Sequence, residues 1–460
     1  MAPEYSGGRP PRLCHSSPDN YAFPEQTMPS VSQLICAALL GLASVHAAAT
    51  EWDARITAAA QAVEEQVITW RRDIHEHPEL SNREFRTSKL VAAHLRSLGL
   101  EVQTGVAHTG VVGVLRGGRS GPVVALRADM DGLPVEERTG LPFASKQRAT
   151  YNGQDVGVMH ACGHDTHVAI LMGTASVLTG MREDLRGTVK FIFQPAEEGA
   201  PAGEEGGAGL MVKEGVLANP EVDAIFGLHV SQQNPVGQAS YRARGTMASA
   251  QSFEIHIQGQ QTHGARPWGG ADPVAAGAQM VTALQTIVSR QVDLTLAPAV
   301  VSVSTFHAGI RHNIIPDEAH LTGTIRTFDE GMRVEIAERI EAIAQATAST
   351  LGATATVTID PGVPVTWNDE NLTAQMVPSL ERVYGAENLN VATLTTGAED
   401  FSFYQQAVPG LFFFIGGRPL DVAAEDAIPN HSPLFTADEG ALLPAVRAMT
   451  TLAVDYLEYQ

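Results

Sequence analysis

"GPVVALRAD", Gly121 to Asp129, is a nearly unbroken apolar run that closes on an acid. Without a polar alternate face it predicts a strand buried on both sides, as in a parallel sheet covered by helices. Similar runs follow in "GTVKFIFQP" at Gly187 to Pro195, "DAIFGLHV" at Asp223 to Val230 and "GLFFFIGG" at Gly410 to Gly417. Helical spacing occupies Trp52 to Gly99 and about Val168 to Gly180. Strands of this kind alternating with helices predict an α/β domain, a mostly parallel sheet with helices on both faces.

Between the third and fourth runs the rhythm changes. Strand "SFEIHIQG" at Ser252 to Gly259, a helix from about Asp272 to Arg290, strands "AVVSVSTFH" and "AHLTGTIRTF", a helix through Glu330 to Leu351 and strand "ATVTID" follow in order. That is the β-α-β-β-α-β order of a ferredoxin-like α+β unit. A second domain is therefore expected inside the first. The expected boundaries are a leader at 1–49, a catalytic domain at 50–249 and 362–460, and an inserted domain at 250–361.

With 460 residues, 44% hydrophobic and 18% charged, the chain can bury large cores and has length for more than one domain. Its formal charge of -21 argues against a nucleic-acid partner. Met1 to Thr27 is polar, contains several prolines and shows no periodicity. "LICAALLGLASV", Leu34 to Val45, precedes the small residues Ala47, Ala48 and Ala49. The run is too short to span a bilayer and reads as the apolar region of a signal peptide starting at Met28. A periplasmic or secreted protein is the expectation, and a cytoplasmic one follows if this run is instead a buried helix end, since no basic residue lies between Met28 and Leu34. If Cys14 and Cys36 leave with the leader, Cys162 is the last cysteine and no intrachain disulfide can form.

Polar residues cluster where strands end. Asp129 and Asp131 close one strand, Glu197 and Glu198 follow another in "QPAEEG", His229 ends a third, and His431 lies after the last in "NHSPLF". Cys162 and His164 stand two apart in "MHACGHDTH", Met159 to His167. Ligands of open α/β sheets gather beyond the carboxyl ends of the strands, so these positions can converge. Each also has a plainer reading: a Glu-Glu pair in a solvated loop, a histidine capping a strand. "HEHPE", His75 to Glu79, reads as surface residues at a helix end rather than a metal site. A thiolate beside imidazoles and carboxylates suits zinc, manganese or another borderline divalent ion.

Taken together, "RADMDGLP", "HACGHDTH", "FQPAEEG", "GLHV", "THGARPW", "NIIPD", "AEDFSFY" and "NHSPLF", in this order, resemble the metal-dependent aminoacylase and carboxypeptidase amidohydrolases. The similar branch contains hippurate hydrolases and plant hydrolases of indole-acetyl amino acid conjugates, and the resemblance runs from about Val67 to the C-terminus. It implies that Cys162, His164, Glu198, His229 and His431 hold one or two divalent ions per subunit, of zinc, manganese, cobalt or nickel. Cys162 would take the place of a bridging aspartate, Glu197 would be the general base, and Asp131 would orient a ligand from behind. Asp129 stands where other branches keep a ligating histidine. The resemblance further implies that the inserted domain serves as lid and homodimer interface, with His263 reaching the other subunit's active site and Asn313 and Arg326 holding the substrate.

The expected activity is hydrolysis of the amide bond of N-acyl amino acids by water activated at the metal. Alternatives are a dipeptidase or carboxypeptidase acting on short peptides, a catalytically silent metal- or ligand-binding protein, and a hydrolase using Cys162 as nucleophile.

Overall fold

A computed structural model describes residues 31–459. Met1 to Thr27, Cys14 and the alternative start Met28 lie outside the described residues. The first described element is a helix, Val31–Glu76, which contains the run Leu34 to Val45. No helix among the described residues is long and apolar enough to cross a membrane.

The compact body begins at Asp53. Its main sheet has eight strands, in the spatial order Glu101–Val106, Gly110–Arg116, Arg186–Gln194, Arg119–Asp129, Ala224–Pro235, Gly410–Arg418, Ala239–Tyr241, Leu389–Val391. The third to sixth in this order are mutually parallel, and they are the four apolar runs of the sequence. Alternate residues supply the two covered faces. Ala125, Ile192, Ile225 and Phe412 join a core with Phe401 and Tyr404. The helices His164–Gly180 and Leu442–Tyr459 pack against strand Arg119–Asp129. Helix His164–Gly180 is buried nearly all round, as an apolar helix between a sheet and another helix must be.

The antiparallel hairpin Glu101–Val106 and Gly110–Arg116 at one edge is absent from the sequence reading, although its inner strand "GVVGVLR" is a buried apolar run. Its outer strand is mostly exposed and lacks the apolar run that marks the buried four.

Ala250–Gln258, Ala299–Ala308, Glu318–Thr327 and Thr354–Val363 form a second, antiparallel sheet. Helices Pro273–Thr286 and Glu330–Thr350 cover one face, over a core that includes Phe253, Ile255, Leu321 and Ile340. Both start at an aspartate whose carboxylate accepts first-turn N–H groups, Asp272 from Val274 and Ala275, and Asp329 from Met332. The first helix stops at Thr286 and continues as a π-turn through Ile287–Gln291, shorter than its periodicity predicts.

Candidate metal centre

Strand register assembles the site. Asp129 is paired with Gln194, and Arg127 is paired with Gly227, so His229 stands level with Asp129 on the next strand. Glu197 and Glu198 follow the end of strand Arg186–Gln194. Cys162 and His164 flank Gly163, whose φ is 93°. A Cβ there would come within 2.3 Å of Val230 Cγ1, so only glycine lets the chain turn into helix His164–Gly180 with both ligand-type side chains facing the strand ends.

The donor atoms fall into triads. Those of Cys162, His164 and His229 lie within 4.8 Å of one another, and so do those of Cys162, Glu198 and His431. Cys162 Sγ is shared: His229 Nε2 and His431 Nε2 each lie 3.3 Å from it. The hydrogen bonds also assign tautomers. His164 Nδ1 faces the Asp131 carbonyl at 2.9 Å and Asp131 Oδ1 at 3.2 Å, so it carries the proton. His229 Nδ1 faces the Val230 carbonyl at 2.8 Å, with the same consequence. Both rings therefore turn Nε2 into the site; His164 Nε2 is buried without a hydrogen-bond partner, while Glu198 Oε1 lies 3.0 Å from His431 Nε2. Imidazoles held by a carboxylate or a carbonyl behind them are the arrangement that metal ligation uses.

Electrostatics asks for the same occupant. Burial and the charges of Glu198 and Glu197 push the Cys162 thiol well above its ordinary range. Burial, with Glu399, Glu198 and Asp400 beside it, does the same to the Glu197 carboxyl. Burial opposes charge on His164, yet Asp129 and Asp131 carry its imidazole up to about 10. The pocket is thus short of positive charge, and thiolate, carboxylate and imidazole are the donors of a borderline divalent cation. The residues fit such ions.

Residues 125–455 match the model of peptidase family M20/M25/M40. The chain belongs to this family. It is 41% identical over 396 residues to thermostable carboxypeptidase 1 of Saccharolobus solfataricus, covering 86% of this chain and 96% of the relative. An IAA-amino acid hydrolase of Arabidopsis thaliana is 40% identical, with 84% of each chain covered, and an N-acetylcysteine deacetylase of Bacillus subtilis is 39% identical, with 85% and 97% covered. Among solved structures, a dinuclear metal-binding M20 peptidase of Bacillus subtilis superposes with a TM-score of 0.71 at 37% identity, covering 86% of this chain and 99% of that one. The M20 chain is accordingly a metal-dependent hydrolase of amide or peptide bonds, and the four-stranded sheet and large parallel sheet are its family's fold.

The M20 site opens into a cleft of about 550 Å³. Cys162, Glu197, Glu198, His229 and His431 line it. His263, Asn313 and Arg326 do not, within a single chain. His263 is exposed, on a short strand paired with Ile314–Ile315, and its Nδ1 accepts from the Ala265 amide at 3.0 Å. Asn313 lies beside that pair, with its carbonyl accepting from the Gly264 amide and its side-chain oxygen buried without a partner. Arg326 is half-buried on the second sheet and bonds to Thr324 and to the Ile325 carbonyl.

Several supporting residues escaped the sequence reading. Asp129 forms a further donor triad with His164 and His167, and its oxygens meet Arg127 at 2.6 Å and His167 at 2.6 Å. His167 in turn accepts the Val230 amide at Nε2, which fixes the segment carrying His229. Fully buried Arg127 also bonds to Glu399 at 2.9 Å and Asp400 at 3.0 Å. A charge inside the apolar run before Asp129 was the signal for this network. Asn430 donates to the Cys162 and Val230 carbonyls. "HEHPE" is not at the surface throughout: His75 is buried between Asp165 and Glu137, because the helix end packs onto the start of helix His164–Gly180. Glu79 accepts the Arg86 and Thr87 amides that open the next helix.

Proposed function

We propose that the protein hydrolyses N-acyl amino acids at their amide bond, with two divalent ions held by Cys162, His164 and His229 on one side and Cys162, Glu198 and His431 on the other. The sharing of Cys162 Sγ by two donor triads carries this reading, and the general-base carboxylate adjoins both. Bound there, such ions polarise an amide carbonyl and acidify water.

Glu197 takes the proton from the attacking water and returns it to the leaving nitrogen. Burial and the neighbouring Glu399 raise its proton affinity, which suits it to hold that proton between the two steps. Asp131 accepts the amides of both Glu197 and Glu198 and holds the His164 ring, so one carboxylate orients base and ligands together. His263 from a second copy is proposed to stabilise the oxyanion, and Asn313 and Arg326 the substrate carboxylate. Exposed Val300 and Phe306 on the edge strand Ala299–Ala308, and exposed Ile310 and Trp268 in the same stretch of chain as His263 and Asn313, support a homodimer through this domain. The apolar run Leu34 to Val45 and the alanines after it support export.

The test is amine release from a panel of acyl amino acids and dipeptides, after chelation and after reloading with single metals. Faster turnover of dipeptides by the loaded enzyme favours the peptidase reading carried in the name of the carboxypeptidase relative. Alkylation of Cys162 should be slow in the loaded protein and fast after chelation; equal labelling rejects it as a ligand.

A further inference from the structure

Three consecutive amides before and within the pair Glu197-Glu198 are held by buried carboxylates. Asp131 takes those of Glu197 and Glu198, each at 3.1 Å. The amide of Ala196 goes to Glu84 Oε1 at 2.9 Å, from 112 residues earlier in the chain. Ala196 has a φ of 53°, in the left-handed region that a residue with a Cβ enters at a cost and keeps only where its surroundings impose it. Glu84 is wholly buried, and its carboxyl also meets the Asn82 amide at 3.1 Å and the Thr109 hydroxyl.

Its place in the sequence makes this use unexpected. Glu84 immediately precedes helix Phe85–Ser97, where an acid ordinarily accepts first-turn N–H groups, yet it makes no capping bond. Glu79 performs that task instead. The Glu84 carboxyl is thus free to reach the far side of the site.

We infer that Glu84 is a positioning residue: by holding the Ala196 amide it keeps the left-handed turn that sends the Glu197 side chain to the substrate and the Glu198 side chain to the metal. The inference rests on the roles given to Glu197 and Glu198 above. Without the clamp, Ala196 relaxes to negative φ, which rotates the following peptide and swings the Glu197 carboxylate away from its working direction.

The experiment compares E84A, E84D and E84Q at saturating metal, reading kcat, KM, metal content and thermal midpoint on an acyl amino acid. E84D keeps the carboxyl group but withdraws the oxygen from the Ala196 amide, so it reads the clamp even where E84A fails to fold. Expected are a loss in kcat of roughly tenfold or more for E84A and E84D, on the scale of small displacements of a catalytic group, with KM little changed. E84Q, which keeps an accepting oxygen in place, should stay within about threefold of wild type, as an isosteric acceptor can. Adding A196G to E84D should restore at least about threefold, since glycine takes positive φ without the Cβ penalty. Wild-type kcat in folded, metal-loaded E84D overturns the inference, as does a kcat loss that E84Q and A196G leave unrepaired. Glu197→Gln measured alongside separates the two failures: if it is fully active, the reading of the pair falls, whereas if it is inactive while E84D is normal, only the clamp does.

Discussion

His164 and His256 each lie 3.2 Å from a carboxylate, Asp131 and Glu318 respectively. The first pair is wholly buried at the strand ends of the parallel sheet, and the second is exposed on the open face of the four-stranded sheet, with side-chain exposures of 44% and 68%. Equal distance does not mean equal work. In water both partners are well solvated and screened, so the exposed contact is worth little. In the interior neither partner has water to fall back on, so geometry fixes the orientation of the His164 ring and turns its Nε2 into the site. The same residue types are therefore machinery in one region and solvated surface in the other.

The sharpest way to break this comparison is within the adjacent acids. Glu197→Gln should lose about 10²- to 10⁴-fold in kcat, as for a missing general base, while metal content stays at the wild-type level. Glu198→Ala should instead lose metal, measured by elemental analysis after dialysis. The reverse pattern means that the two roles are exchanged.

Arg127 tests the supporting layer. It faces Asp129, Glu399 and Asp400 at full burial, so Arg127→Met leaves three carboxylates without their counter-charge. A loss of about 3–5 kcal/mol in unfolding free energy is expected, as for other broken buried ion networks. A loss of less than about 1 kcal/mol, taken from the denaturant midpoint and slope, would show that the three carboxylates do not depend on Arg127 for their compensation.

The second sheet is expected to matter through the partner's site rather than through its own chain. Glu197→Gln and His263→Ala homodimers should both be inactive, whereas purified heterodimers should regain up to roughly half of wild-type activity, one working site of two. Heterodimers as inactive as their parents would place His263 within its own subunit or in a structural role.

At the small end, His256→Ala should change stability by about 0.5 kcal/mol or less, as for other exposed pairs, and leave kcat unaltered. A larger effect in either would show that the open sheet face is covered in the assembled protein.

The sequence carried the architecture because burial on both faces leaves an apolar run that survives as a readable pattern. "GPVVALRAD" and its three counterparts became the four parallel strands, and the β-α-β-β-α-β rhythm became the second sheet. Of the edge hairpin, the outer strand Glu101–Val106 is mostly exposed and has no such run, whereas the inner strand Gly110–Arg116 is buried and its short run "GVVGVLR" went unread. The candidate ligands were legible as residue types near strand ends, and the family resemblance gathered Cys162, His164, Glu198, His229 and His431 into one expectation. Apart from Asp131, which the resemblance placed behind a ligand and which meets His164 Nδ1, the tertiary structure decided which side chains stand behind them. Glu84 to Ala196 spans 112 residues and Arg127 to Glu399 spans 272, and neither pair shares a local pattern. Hydrogen bonds of this kind are chosen by strand register and by the absence of competing water, conditions that exist only once the sheet has closed over them.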